Sequence, residues 1–376
     1  MRVLFAGGGT GGHINPAISV ADHIKSVDEN FEALFIGTEN GLEKKLVPAA
    51  GYNIEYIDIC GFNRKQLYKN ISVIKKLSDA NKRVKEIIES FKPDAVLCTG
   101  GYVSGPVAMA AKKCGVGAVI HEQNVYPGLT VNGSEKYVDY VAVSFKETIN
   151  HMGNKKKCVY TGNPVRGAIL NADIDKAKDI IGMPKDKPLV LIFGGSLGAG
   201  KINETVLNML GKIIKENRFY LIFATGDRNY EDFCMEMKKT GITTHNGVKI
   251  LPYIDNMADV MAAADLVVSR SGAITVSEIA ALGKASVLIP SPNVVRNHQE
   301  QNARELEKKN AAVVITEDEL DGDMLYDKIT ELVIRDCITL GLMGYNAKKL
   351  AKRDALDEIY KLLLKVSEKN KSQPKQ

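Results

Sequence analysis

Short apolar runs alternate along this chain with longer stretches whose apolar positions recur at helical spacing. A first set of runs lies at 2–6 (RVLFA), 33–36 (ALFI), 95–98 (AVLC), 118–121 (AVIH) and 141–143 (VAV). A second lies at 189–193 (LVLIF), 220–224 (YLIFA), 248–250 (VKI), 266–268 (LVV) and 286–289 (SVLI). Between them 16–26, 104–113, 203–216 and 276–282 read as helices. Strand–helix alternation of this kind predicts an α/β protein with parallel sheets covered by helices on both faces. The runs are apolar almost throughout rather than at every second position, as strands buried on both sides require.

The pattern starts twice. RVLFA runs into GGGTGG at 7–12, and LVLIF runs into GGSLGAG at 194–200. Each is a strand, a glycine-rich turn and a helix, so two Rossmann-like domains in tandem are expected. The seam falls near Gly162-Asn163-Pro164-Val165-Arg166, where Gly, Asn and Pro interrupt regular structure. The expected domains are 1–163 and 164–345, followed by a helix at 346–369 and a polar, disordered tail at 370–376.

Length and composition narrow this picture without changing it. At 376 residues the chain is long for one core and comfortable for two. Hydrophobic residues at 45% and charged residues at 25% are the mix of a folded domain, which sets aside disorder and collagen-like repeats. Six scattered cysteines (Cys60, Cys98, Cys114, Cys158, Cys234 and Cys337) form no CxxC pair, which fits a reducing cytosol and argues against a metal site built from them. No apolar run approaches the roughly 20 residues of a spanning helix, and the first residues are too short an apolar stretch for a signal peptide.

Net charge is only +5, but it is unevenly spread. Residues 64–85 hold Arg64, Lys65, Lys69, Lys75, Lys76, Lys82, Arg83 and Lys85 against Asp79 alone, a net +7. Leu67, Ile71, Ile74 and Leu77 recur at helical spacing within them. The pattern alone accommodates a surface helix packed on its own domain as well as a helix lying on an anionic membrane.

Glycine turns at strand ends let backbone amides approach an anion, helped by the start of the following helix. Gly7, Gly9 and Gly12 satisfy GxGxxG, although the acid expected at the end of the second strand is met only by Glu39, three residues late. GGSLGAGK at 194–201 misses a P-loop because Ile202 replaces the magnesium-binding Ser or Thr, so nucleoside triphosphate hydrolysis is not expected. A third cluster, GGYVSGP, follows AVLC at 100–106. Together these point to two phosphorylated ligands, one per domain. Asp173-Ile174-Asp175 and Asp321-Gly322-Asp323 read as helix starts rather than metal ligands.

Seven segments in order carry a more specific signal: GGGTGGHINPA at 7–17, GGYVSGP at 100–106, HEQNVYPG at 121–128, GNPVR at 162–166, GGSLGAGKIN at 194–203, SRSGAITVSEIAALGK at 269–284 and HQEQNA at 298–303. On these residues the chain resembles, over about 1–365, the MurG family of bacterial UDP-N-acetylglucosamine–N-acetylmuramyl-(pentapeptide) pyrophosphoryl-undecaprenol N-acetylglucosamine transferases. The resemblance implies the GT-B fold, two Rossmann-like domains facing a cleft, with the last helix returning to the first domain. It implies inverting transfer of N-acetylglucosamine to the 4-hydroxyl of the muramyl sugar of lipid I, giving lipid II and UDP in peptidoglycan synthesis.

The resemblance also distributes roles. Arg166 and Ser196 would meet the diphosphate of UDP-N-acetylglucosamine, Ile254 the uracil through its main chain, and Glu278 the ribose. Ala273, Ile274 and Thr275 would meet phosphate and sugar, and His298 and Gln299 the sugar. Some members carry a Gln pair where this chain has His298-Gln299. Thr10, Gly11, Gly12, His13 and Asn124 would face the cleft, while Gly100, Gly101, Tyr102, Ser104 and Gly105 would hold the acceptor's diphosphate.

His13 is the candidate base, being the side chain of the first glycine loop that titrates near neutrality. Its other reading is a hydrogen-bonding or loop-capping residue, and Glu122 and Glu278 are rivals. With Arg166 and backbone amides to meet the leaving charge, no metal and no cofactor is expected. A lipid-linked acceptor shifts 64–85 toward membrane contact through Lys69, Ile71, Ile74, Lys75 and Lys76. The expected setting is peripheral, at the cytoplasmic face of the bacterial membrane, with cell-wall synthesis proteins as conceivable partners and no nucleic acid. Another GT-B transferase or a UDP-sugar epimerase would share the pattern. A dehydrogenase would leave GGSLGAG and Arg166 unexplained, and a UDP-sugar-binding scaffold would leave the His13 loop idle.

Overall fold

The computed structural model describes residues 1–59, 70–195, 198–243 and 247–372, the side chains of 70–75 and 370–372 excepted. The chain divides into two units, Met1–Arg166 with Lys352–Gln376, and Gly167–Ala351.

The first unit runs β1 (Arg2–Gly7), α1 (Gly11–Val27), β2 (Glu32–Gly37), α2 (Glu43–Ala49), β3 (Asn53–Tyr56), α3 (Asn70–Phe91), β4 (Ala95–Gly100), α4 (Ser104–Lys113), β5 (Ala118–Glu122), α5 (Leu129–Ser134), β6 (Tyr140–Val143) and β7 (Cys158–Tyr160). Its seven strands are parallel, in the order β3-β2-β1-β4-β5-β6-β7. Val3, Leu4, Phe5, Val96, Leu97, Val119 and Ile120 are wholly buried, which is why these strands read as continuous apolar runs.

The second unit runs α6 (Gly167–Leu170), α7 (Ala177–Ile180), β8 (Leu189–Phe193), α8 (Gly200–Glu216), β9 (Tyr220–Ala224), α9 (Tyr230–Lys239), β10 (Val248–Leu251), α10 (Met257–Ala263), β11 (Leu266–Ser269), α11 (Ala273–Leu282), β12 (Ala285–Leu288), α12 (His298–Glu307), β13 (Ala312–Val314), α13 (Gly322–Thr330) and α14 (Cys337–Leu350). Its parallel sheet has the order β10-β9-β8-β11-β12-β13. On one side it is packed by the apolar face of α8, where Ile202, Val206, Met209, Leu210 and Ile213 join Val190, Ile192 and Phe223 in one core.

The last helix differs from its expected span. Residues 346–350 finish α14 in the second unit, and a new helix, α15 (Ala355–Ser372), packs on α1, β4 and β5 of the first. Ala351 is extended and ends α14, so the single helix expected over 346–369 is two. The chain leaves the first unit after Arg166, three residues beyond the expected boundary. Of the two Asp-x-Asp pairs only the second starts a helix, Asp321 Oδ1 accepting from Met324 N at 2.9 Å at the head of α13, whereas Asp173 Oδ1 accepts from Lys176 N at 3.1 Å in a turn ahead of α7, which has no side-chain cap.

Candidate functional site

In both sheets the strand order reverses beside the strand that opens the unit, between β1 and β4 and between β8 and β11. Loops at such a point diverge beyond the carboxyl ends of the strands and leave room for a ligand. The helices that follow these four strands are α1, α4, α8 and α11. None has a side-chain hydrogen bond at its N-cap or an acid in its first turn. Their first amides are therefore not met by the acid or the capping side chain found at α13 and α14, where Asp321 and Asp336 serve.

At the first of these points the two glycine loops touch backbone to backbone. Gly8 N donates to Gly100 O at 3.4 Å. Gly101 has φ +78, and a Cβ there would strike the Gly8 carbonyl, so only glycine fits. Thr10 is the extended N-cap of α1, with Gly11 and Gly12 in the first turn.

His13 is half-buried, and its ring lies against Gly100. Its Nδ1 is 3.2 Å from Gly8 O and 3.3 Å from Thr10 Oγ1. A carbonyl can only accept, so the Nδ1–Gly8 contact is a hydrogen bond in the tautomer that carries its proton on Nδ1, which leaves the ring's lone pair on Nε2. From below, Thr99 Oγ1 donates to the His13 carbonyl at 2.7 Å.

The GGYVSG residues divide. Tyr102 is exposed, and Gly105 lies half-buried in the first turn of α4. Ser104 is wholly buried; its hydroxyl accepts from Gly100 N at 2.9 Å and lies 2.8 Å from Gly100 O and 3.0 Å from Ala6 O. It fastens the loop from inside, which takes its hydroxyl away from the ligand contact expected of it.

Glu122 is likewise withdrawn as a rival base. Its carboxylate is buried and accepts from Asn124 N (2.9 Å), Asn124 Nδ2 (3.1 Å) and Gly128 N (2.7 Å). Burial raises its pKa, and those hydrogen bonds oppose the shift. It shapes the turn that presents Asn124.

Its neighbour His121 is wholly buried and is pushed down to about 4 by burial, against the pull of the Gly162 carbonyl 3.0 Å from Nε2. Gln123 Nε2 donates to Thr99 O at 2.8 Å, and Asn163 Nδ2 donates to Gln123 O at 3.1 Å. Buried amides thus tie the β4 and β5 ends to the connection that leaves the unit. Arg166 closes that connection, half-buried.

At the second point the β8–α8 turn uses Gly195 (φ +93) and Gly198 (φ +75), and a Cβ on Gly198 would strike Thr225 O. Ser196 lies outside the described residues. Lys201, the P-loop-like lysine, pairs with Glu204 at 3.5 Å on the surface of α8.

Beyond β11, Arg270 donates to Ile289 O and Pro290 O and pairs with Glu317. Ser271 Oγ donates to Gln299 O at 2.8 Å, and Gln299 Oε1 accepts from Ser291 N at 2.9 Å. The start of α11 and the start of α12 are thereby held as one surface. It brings together Ala273, Ile274 and Thr275 in the first turn of α11, buried Glu278 a turn further, and His298 and Gln299 at the head of α12. His298 Nδ1 is 2.9 Å from Val295 O. Arg296 and Asn297 before it are left-handed, at φ +56 and +52, an uncommon conformation for non-glycine residues and one concentrated at functional sites. Ile254 is buried on the segment after β10.

Glu43 is the functional candidate that the sequence did not disclose. It is wholly buried on α2 and accepts from Gly9 N in the first glycine loop. The signal available was an acid near Gly37 and Gly41, and Glu39 was weighed in its place.

Two glycine switch points on two parallel sheets form a pair of Rossmann-like nucleotide-binding frames, and the comparisons say which family carries them. The glycosyltransferase family 28 N-terminal domain matches residues 3–143, and the glycosyltransferase family 28 C-terminal domain matches 189–359. A relative from Acetivibrio thermocellus is 46% identical over 99% of this chain and 100% of its own length. It is described as a UDP-N-acetylglucosamine–N-acetylmuramyl-(pentapeptide) pyrophosphoryl-undecaprenol N-acetylglucosamine transferase. The crystal structure of MurG from Acinetobacter baumannii superposes with a TM-score of 0.76 at 28% identity, covering 97% of this chain and 99% of that one. The UDP-GlcNAc 2-epimerase from Neisseria meningitidis, bound to UDP-GlcNAc, shares the fold at 14% identity and a TM-score of 0.68, over 97% of this chain and 100% of that one. This chain belongs to the MurG family of N-acetylglucosaminyltransferases.

Proposed function

We propose that the protein transfers N-acetylglucosamine from UDP-N-acetylglucosamine to the N-acetylmuramyl-(pentapeptide) pyrophosphoryl-undecaprenol acceptor, lipid I, giving lipid II and UDP in peptidoglycan synthesis. The observation that carries this reading is family membership along the whole chain at 46% identity. The two uncapped switch points support it, since each suits an anionic ligand.

In the reaction the acceptor's 4-hydroxyl loses its proton to His13 Nε2 as its oxygen bonds to the anomeric carbon. The bond from that carbon to the phosphate oxygen breaks on the opposite face, and UDP leaves with the electron pair, inverting the centre. The Nδ1–Gly8 hydrogen bond supports His13 as base because it directs the lone pair to Nε2. Thr10, Gly11, Gly12 and Asn124 line the acceptor side, and Gly100, Gly101, Tyr102 and Gly105 hold its diphosphate. Arg166, Ser196 and the first turn of α11 meet the charge on the departing UDP. Ile254 reads uracil through its main chain, Glu278 takes the ribose hydroxyls, and His298 and Gln299 take the sugar. The amide NH2 of Gln299 has no partner among the described residues, which suits that role.

The protein works peripherally at the cytoplasmic face of the bacterial membrane. A polyprenyl-linked acceptor supports this, as does the basic stretch 64–85. Among the described residues no helix is long and apolar enough to cross a membrane. Lys69 lies outside the described residues, as do the side chains of Ile71, Ile74 and Lys75. Further along α3 the charge is partly offset, by Lys76–Asp58 at 2.7 Å and Arg83–Glu55 at 2.8 Å.

The deciding experiment measures UDP release from UDP-N-acetylglucosamine with and without a lipid I analogue. Acceptor-dependent release with formation of the disaccharide product is expected; release indifferent to the acceptor overturns the reading.

A further inference from the structure

Glu43 is the first residue of α2 and is wholly buried. Three donors converge on its carboxylate: Gly9 N to Oε2 at 2.9 Å, and Thr38 N and Thr38 Oγ1 to Oε1 at 2.9 and 2.8 Å. A set of donors alone suits an ionised carboxylate. Three glycines make room for it, since a Cβ on Gly8, Gly37 or Gly41 would lie within 3.0 Å of its side chain. The first glycine loop, which by pattern should receive a phosphate, thus already spends its Gly9 amide on an internal anion.

The Gly8 carbonyl and the Gly9 N–H belong to one peptide group, and no peptide in the described structure is cis. A trans amide points its C=O and N–H in opposite directions. On one edge this peptide faces His13 Nδ1 at 3.2 Å, and on the other it donates to Glu43 at 2.9 Å. We propose that Glu43 is a positioning residue for the transfer reaction, acting on His13 through the Gly8–Gly9 peptide.

A carboxylate at the N–H polarises the amide and makes its carbonyl a stronger acceptor. The Nδ1–H tautomer is then preferred, and the imidazolium formed when Nε2 takes the acceptor's proton is stabilised. The buried carboxylate behind a hydrolase histidine does this by direct contact; here one peptide bond intervenes. Around His13, β4 and its loop contribute uncharged Thr99 and Gly100, and the β5 acid, Glu122, is committed to Asn124 and Gly128. The inference rests on His13 being the base.

The test is Glu43→Gln, which keeps the shape and removes the charge. kcat is expected to fall about 10- to 100-fold, the worth of one charge-assisted hydrogen bond, with both KM values within about twofold. Ring-nitrogen NMR, assigned with His13→Asn, should show His13 moving from the Nδ1–H tautomer toward a mixture. Glu43→Asp, which restores the charge, should recover part of the loss and guards against a Gln variant that misfolds. An unchanged tautomer, or a loss of activity matched by a fall in Tm and not rescued by Asp, overturns the proposal. If His13→Ala is inactive while Glu43→Gln is normal, the relay alone fails. If His13→Ala turns over normally, the base assignment itself fails.

Discussion

The two switch points share a plan and differ in what holds them. In the first unit the loops are fixed by buried polar side chains, two from neighbouring elements, Glu43 under Gly9 and Thr99 under His13, and two within their own turns, Ser104 against Gly100 and Glu122 beneath Asn124. In the second, the bracing joins one loop to the next, through Ser271 to Gln299, Gln299 to Ser291 and Arg270 to Glu317. The first arrangement suits a task in which one ring must keep one orientation. The second suits recognition by backbone and helix ends, where the surface matters more than any single side chain. Precision in chemistry demands anchored side chains, and anchoring buries polar groups that must each find a partner.

The sharpest way to break this contrast is His13→Ala. It should lower turnover about 10²–10⁴-fold while the dissociation constant for UDP-N-acetylglucosamine, read by calorimetry, stays within about twofold. A mutant that turns over normally would make the first switch point a binding surface like the second.

Next in size is acid sensitivity. His121 stays neutral in the folded first unit down to about 4, whereas in the unfolded chain it takes a proton near 6.5. The unfolded state therefore binds more protons between those values, and stability present above pH 6.5 is lost as pH falls toward 4, by about 3 kcal/mol. Glu122 works in the opposite direction, because burial raises its pKa. Denaturant unfolding of wild type and His121→Gln across this range isolates the histidine: the difference between them should shrink as pH falls, and a constant difference would count against it.

Smaller still is Glu278→Ala in the second unit, which should raise the donor KM about tenfold, the worth of hydrogen bonds to a charged group, with kcat little changed. An unchanged donor KM removes Glu278 from ribose recognition. The smallest effect on chemistry concerns the basic stretch. Reversing charge at Lys69, Lys75, Lys76 and Lys82 should weaken sedimentation with anionic vesicles and leave turnover on a soluble acceptor analogue unaltered.

The sequence disclosed what burial makes repetitive. Ten strands were legible because their residues are apolar almost end to end. Asn53–Tyr56, Cys158–Tyr160 and Ala312–Val314 were missed; all three are sheet-edge strands of three or four residues, and of the four edge strands only Val248–Leu251 was read. At the site, residues whose role follows from glycine turns and helix starts could be located from pattern and resemblance. Glu43, Thr99 and Gln123 could not, because each is defined by a partner on another segment of the chain: Thr99 reaches His13 across 86 residues. Ser104 was given an outward-facing role, and Glu122 weighed as a rival base, for the same reason, since nothing in a linear pattern distinguishes a hydroxyl or carboxylate facing a ligand from one turned inward.

The return of α15 to the first unit has a consequence for biosynthesis. Val366 packs where a Cβ on Gly117 would lie, just before β5, and α15 also packs on α1 and β4. During translation the first unit emerges early but lacks this helix until the intervening 167–351 have been made, a delay of about 10–40 s at ordinary elongation rates. Through that interval the nascent sheet leaves bare the patch that α15 will cover. A ribosome stalled before Ala355 would therefore display a first unit with its strands in order and one flank unsealed, a state for which a chaperone would compete.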